Sequence, residues 1–111
     1  MMRQFEIWWA NLPEPAGRRP VLLLTRTAGY AYVTRILVAE ITTTTRFIPQ
    51  ELPLGQADGL SQTCVANFDS LRGISPSRLL TRISYLSPTR QIEAKQAMGH
   101  ALGWLELIAA G

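Results

Sequence analysis

The feature that most constrains the fold is a change of period near residue 87. Before it, apolar residues alternate or cluster in short runs broken by Gly and Pro. After it, they recur at steps of three and four. A period of two suits half-buried strands, and a period near 3.6 suits one face of a helix. The chain must therefore place several short strands first and a helix last.

The strand region divides at its breakers. Phe5, Ile7 and Trp9 alternate with Glu6, Trp8 and Ala10, which predicts a half-buried strand. The stretch Asn11-Leu12-Pro13-Glu14-Pro15-Ala16-Gly17 ends it as a loop. Pro20 to Thr25 is a continuous apolar run, expected as a central strand with Pro20 at its edge. Thr27-Ala28-Gly29 predicts a turn, and Tyr32 to Thr43, rich in β-branched residues, a long strand. Weaker signals predict a strand over Gln50 to Leu54 and a loop over Gly55 to Gly59. Gln62 to Phe68 follows as a strand, extended after a kink from Asp69 to Ile74, and Leu79 to Leu86 is the last. Ser87-Pro88 is a helix start, with serine as cap and proline at the first helical position. Ala94, Met98, Ala101, Leu105 and Ile108 then form one apolar face. About six strands and one helix predict an α+β, mainly β chain: a small barrel or strongly bent sheet closed by the C-terminal helix. With 111 residues and 47% apolar content, one domain over 1–111 with a single modest core is expected.

Composition excludes several classes. No apolar run is long enough to span a membrane, and the first residues lack the apolar stretch of a signal peptide, so a cytoplasmic protein is expected. Cys64 is the one cysteine and cannot form an internal disulfide. His100 is the one histidine and sits in the helix, where a solvated position is the ordinary reading. No metal-ligand spacing and no Gly-rich phosphate loop occur, so neither a metal nor a cofactor is expected. Net charge is +3, and ten of the eleven basic residues are arginine. Guanidinium matches phosphate oxygens with a planar fork of donors, although a GC-rich genome would raise arginine too.

What remains for chemistry is arginine, threonine and a few acids at strand ends. Arg18 and Arg19 close a flexible loop and enter a strand. By itself that is a basic pair flanking a strand. Thr42 to Thr45 offer hydroxyls, or a β-prone strand end. Asn67-Phe68-Asp69-Ser70-Leu71-Arg72 places amide, carboxylate, hydroxyl and guanidinium within six residues, or is a turn held by the Asp69 and Ser70 side chains.

The order of these elements is more telling than any one of them. Phe5-Glu6-Ile7-Trp8-Trp9-Ala10-Asn11-Leu12 opens the chain, and Gly17-Arg18-Arg19-Pro20-Val21-Leu22-Leu23-Leu24 follows. Next come Val38-Ala39-Glu40-Ile41 with the threonine block, then Gly59-Leu60-Ser61 and Val65 to Arg72. Ser77-Arg78-Leu79 and Leu86-Ser87-Pro88 close the set. In this order the chain resembles the PemK/MazF ribonuclease toxins of bacterial toxin–antitoxin systems. The resemblance implies an SH3-like barrel, shared with the gyrase poison CcdB. It implies a homodimer that cuts single-stranded RNA without a metal and is silenced by a cognate antitoxin. The substrate's 2′-hydroxyl attacks the adjacent phosphate and leaves 2′,3′-cyclic phosphate and 5′-hydroxyl ends.

The same resemblance puts the family arginine before the proline on Arg19, the family Thr/Ser at the third strand's end on Thr42, and an acidic position of some members on Asp69. A fixed guanidinium stabilises charge developing on the phosphate, and one lost donor of this kind costs about 3 kcal/mol of barrier. Arginine is a poor base because its pKa exceeds about 12. Arg19 is therefore expected as electrostatic stabiliser and candidate acid, Thr42 as positioner and Asp69 as candidate base. Arg18, Thr43, Asn67, Ser70 and Arg72 are the candidate RNA-binding residues. The departures are a short 12–17 loop with Glu14 its single acid, Ser70 where the family often has glutamine, and Asn67 where some members are basic. Three alternatives stand beside this reading: a CcdB-like gyrase poison, towards which Trp104 near the end would point, a non-catalytic RNA- or antitoxin-binding relative, and a small structural barrel with no ligand. Trp8, Trp9, Tyr30 and Tyr32 are candidates for an interface, for base stacking, or for the core.

Overall fold

A computed structural model of the chain describes residues 1–109. Six strands run in order: β1 (Glu6–Asn11), β2 (Arg18–Leu23), β3 (Ile36–Thr42), β4 (Glu51–Leu54), β5 (Cys64–Ile74) and β6 (Leu79–Tyr85). Helix α1 (Pro88–Leu102) follows, then a single turn, α2 (Leu105–Ile108). All pairings are antiparallel, in the order β4-β5-β3-β2-β1-β6, and the sheet curls into a half-barrel.

β4 and β6 remain as edges, and side chains bridge the seam between them. The turn after β4 leans on β6: Ser84 Oγ donates to the Asp58 carbonyl. A Cβ at Gly59 would stand 2.8 Å from Ser84 Cβ, so only glycine permits this approach. Arg90 of α1 pairs with Asp58 and Glu93 and donates to the Pro53 carbonyl, fastening the helix to the same seam.

The two faces of the sheet bury different cores. On one, Ile7, Leu22, Ala39, Ile41, Ala66 and Phe68 pack against Ala94 and Ala97 of α1. On the other, Ala10, Val21, Leu23, Val38 and Ile74 are covered by Leu12 and Ala16 of the β1–β2 loop and by Tyr30 and Val33. Each Val, Leu, Ile or Phe among them contributes about 1.5–3 kcal/mol when fully buried. Trp8 packs on the second core and donates its Nε1–H to Glu6.

The predicted elements stand, with three differences. The third strand begins at Ile36 rather than Tyr32. The backbone N–H groups of Tyr32 and Val33 both donate to the Gly29 carbonyl and hold 29–33 in a tight turn. The apolar run entered as Pro20–Thr25 is strand from Arg18, because Arg18 and Arg19 pair with Asn11 and Ala10. The ladder to β3 starts only at Val21, so Pro20 removes no bond from it. The helix keeps its start, where Ser87 Oγ accepts the Arg90 N–H, but not its length. It stops at Gly103, in the left-handed region, and α2 folds back on it. At Gly99 a Cβ would meet Leu107 Cβ at 2.8 Å, which is why the return packs on a glycine. Leu105 is consequently 76% exposed and leaves the predicted face.

Candidate active site

Register builds the site. β2 and β3 pair Val21 with Glu40, and continuing that ladder sets Arg19 opposite Thr42. β3 and β5 pair Glu40 with Asn67. Alternate strand residues share a face, so Arg19, Glu40, Thr42 and Asn67 all lie on the face of the second core, just beyond its apolar end. Together with Arg46 and Ser70, among others, they line a cleft of about 210 Å³.

The charges in this cleft are organised around Glu40. Its Oε2 accepts from Arg72 Nε at 2.8 Å and lies 2.7 Å from Arg72 Nη2. Its Oε1 lies 3.5 Å from Arg19 Nη1, a looser pairing. Arg19 Nε is buried with no hydrogen-bond partner among the described residues. A buried donor left unpaired is costly, so Arg19 reaches the cleft with donor capacity unspent. Thr42 Oγ1 accepts the Thr44 N–H, which leaves its own hydroxyl proton to donate elsewhere. Buried Glu51 accepts from Thr45 Oγ1 and the Arg46 N–H, and this shapes the loop that carries Arg46 to the cleft. In the same loop Phe47 has φ 55 and is 90% exposed.

The kink expected at Asp69 is a bulge. Ala39 pairs with Leu71 and the next residue, Glu40, with Asn67, so residues 68–70 are extra on β5. Asn67 ties the bulge by accepting the Asp69 N–H and donating to Ser70 Oγ. Asn67 and Ser70 thus line the cleft. Asp69 stands exposed beside them, and its carboxylate makes no hydrogen bond or ion pair among the described residues.

The remaining candidates divide. Arg72 acts on the cleft through Glu40. Arg18 belongs to the opposite face, its guanidinium 5.0 Å from the Trp9 ring. Thr43 lines a second cleft of about 350 Å³, walled by Trp9 and Pro20, which meets the first at Thr42. Sequence reasoning reached the stretch Glu40 to Arg46 but gave Glu40 and Arg46 no role, and it missed Glu51. Glu40 carried a signal, because two residues before Thr42 on a strand is the same face. Among the described residues no three His, Cys, Asp or Glu side chains gather as a metal would require.

A family model described as PemK-like, MazF-like toxin of type II toxin–antitoxin system matches residues 3–102. The chain belongs to the PemK/MazF toxin family. It is 35% identical over 103 residues to a probable endoribonuclease MazF2 of Mycobacterium tuberculosis, covering 92% of this chain and 99% of that one. It is also similar to the solved Mycobacterium tuberculosis toxin MazF-mt6, with TM-score 0.81 and 34% identity over 88% of this chain and 96% of the other. A mycobacterial endoribonuclease solved in complex with its cognate antitoxin shares the fold at TM-score 0.81 and 21% identity, covering 94% and 97% of the two chains. The family's expected strands and C-terminal helix are those found here.

Proposed function

We propose that the chain is an endoribonuclease toxin that cuts single-stranded RNA in the Arg19 cleft. The observation that carries this reading is the convergence of Arg19, Thr42 and Asn67 from three strands, around a carboxylate that holds two arginines. In the proposed reaction the substrate's 2′-hydroxyl oxygen attacks the adjacent phosphorus and the P–O5′ bond breaks. The products are a 2′,3′-cyclic phosphate and a 5′-hydroxyl. Negative charge grows on the non-bridging oxygens, and the unspent donors of Arg19 and the Thr42 hydroxyl are placed to meet it. Glu40 is the positioning group, since its hold by Arg72 fixes where Arg19 lies. Asp69 is the proton acceptor: its carboxylate is free and sits beside two lining residues. The leaving 5′-oxygen takes its proton from Arg19 or from water.

Asn67, Ser70, Arg18 and Thr43 bind the strand on either side of the cut, and Arg72 acts through its hold on Glu40. The chain works as a cytoplasmic homodimer neutralised by a cognate antitoxin, and its place in a family of type II toxin–antitoxin toxins supports the antitoxin. No helix among the described residues is long and apolar enough to cross a membrane.

The deciding experiment incubates purified protein with pooled single-stranded RNA in EDTA, beside Arg19→Ala, and maps the new ends chemically. Cyclic-phosphate and 5′-hydroxyl ends from wild type alone are expected. No cutting by wild type across a large pool would overturn the nuclease reading.

A further inference from the structure

Of the second cleft only Thr42 and Thr43 enter the reading just given, and it is the larger of the two. It opens where the first core runs out to solvent. Trp9 follows Ile7 on one face of β1, Ile41 follows Ala39 on β3, and Cys64 precedes Ala66 on β5. These residues, with Leu60 and Ile83, give an apolar floor and one aromatic wall. Burial first, and then Asp58, push the Cys64 thiol up, so the floor there is a neutral thiol and not a nucleophile. Thr43, Ser61 and Gln62 supply the polar lining, and their side chains have no hydrogen-bond partner among the described residues.

An apolar-floored cleft with an aromatic side chain and free donors and acceptors fits a planar heterocycle with a hydrogen-bonding edge. We infer that this cleft holds the nucleobase of a nucleotide flanking the scissile phosphate, stacked on Trp9 and read at its edge by Gln62 with Thr43 and Ser61. The inference rests on the Arg19 cleft being the phosphate site. Continuity decides for RNA: Thr42 lines both clefts, so a phosphate beside it leaves the attached base at the mouth of the cleft that Trp9 lines. Arg18 and Arg19 add charge complementarity, since successive strand residues put a guanidinium on each face at this edge. Arg18 also lies 5.0 Å from the Trp9 ring, which steadies the ring for stacking. Gln62 presents both a donor and an acceptor and so distinguishes bases that stacking alone does not.

The test compares wild type, Gln62→Ala, Trp9→Phe and Trp9→Ala in two assays. One sequences the cut sites in a random single-stranded RNA pool. The other measures binding of 2′-deoxy oligonucleotides, which cannot cyclise, varied at one base at a time. Gln62→Ala is expected to erase base preference at one position next to the cut and to keep it elsewhere. Trp9→Ala should weaken binding about tenfold or more, as loss of one stacked base does, and Trp9→Phe should restore most of it. Preferences and affinities unchanged in all three variants would overturn the pocket while leaving the nuclease intact. Wild-type binding with a preference that Gln62→Ala erases, but without cutting, would overturn the nuclease and keep the pocket. No RNA binding by wild type would overturn both. A Trp9→Ala protein whose RNA binding is normal but whose sedimentation changes would give the cleft to contact between copies, against the proposal.

Discussion

The cleft around Arg19 and the cleft around Trp9 are built from opposite faces of one sheet and share Thr42, which ends β3 between them. The first is a network of charges whose acceptors are tied: Glu40 to Arg72 and Arg19, Glu51 to Thr45 Oγ1 and the Arg46 N–H, Asn67 to the bulge. The second is apolar beneath and untied above. A site that must stabilise a developing charge gains from groups already held in place, because no reorganisation is needed as the charge forms. A site that reads a base gains from donors and acceptors that the protein has not already used. The difference between the clefts is what a division between chemistry and selection requires.

The sharpest way to break that division is Arg19→Ala. It should lower the cleavage rate at saturating RNA about 10²–10³-fold, the loss expected for one fixed donor to developing charge. Base preference in the residual cutting should stay as in wild type. Single-turnover rates on the RNA pool check both, and a change of preference without a change of rate would reverse the assignment of the clefts.

Glu40→Gln comes next. It keeps the size of the side chain but removes the charge that holds two guanidiniums, and Arg72 faces Arg19 without a mediator. A displacement near 1 Å at a catalytic group costs about 10²-fold in rate. The expected signature is a fall in rate together with about 2 kcal/mol of stability, the worth of charged hydrogen bonds in a part-buried site. Urea unfolding beside the kinetic assay separates the two. A stable protein with full activity would show that Glu40 only happens to lie there.

Which parts of this arrangement were legible in the sequence follows from distance along the chain. The Phe5–Ala10 alternation and the Ser87-Pro88 cap are local signals, and both became the elements they predicted. The bulge was legible as a kink in the polar run 67–70, although the side chain that ties it is Asn67, which bonds the Asp69 N–H and Ser70 Oγ. Arg18 and Arg19 were grouped as one basic pair, and the alternation of strand side chains sends them to different clefts. The Glu40–Arg72 bond spans 32 residues and depends on the β3–β5 register past the bulge. No local pattern states that register. The break at Gly103 was hidden by an apolar spacing that continued through it, since Leu105 and Ile108 recur on schedule in a segment that has turned back.

Thr42→Val tests the shared wall. The substitution keeps the branched shape and deletes the hydroxyl, and one hydrogen bond is worth about 1 kcal/mol, or up to about tenfold in rate. Because Thr42 touches both clefts, rate and preference at the flanking base should shift together, which neither Arg19→Ala nor Gln62→Ala does. Rate and preference from one pooled-RNA experiment check this. A shift in only one of the two would place Thr42 with that cleft alone.

Gly99→Ala should have the smallest effect on cutting and a clear one on stability. The added methyl would meet Leu107 Cβ at 2.8 Å and the Ile108 N at 2.9 Å, and the second contact is backbone that cannot swing aside. The α2 turn must then lift from α1, and overpacking of this kind costs about 1–3 kcal/mol. α1 keeps its remaining hold on the sheet through Ala94, Ala97 and Arg90, all N-terminal to the change. Neither cleft is lined by α1 or α2, so rate and base preference of the folded protein should match wild type at a temperature well below its melting midpoint. Thermal unfolding should report the loss. If cutting fell while the fold held, the C-terminal turn would be coupled to the clefts across the first core, and the chemistry could no longer be assigned to the strands alone.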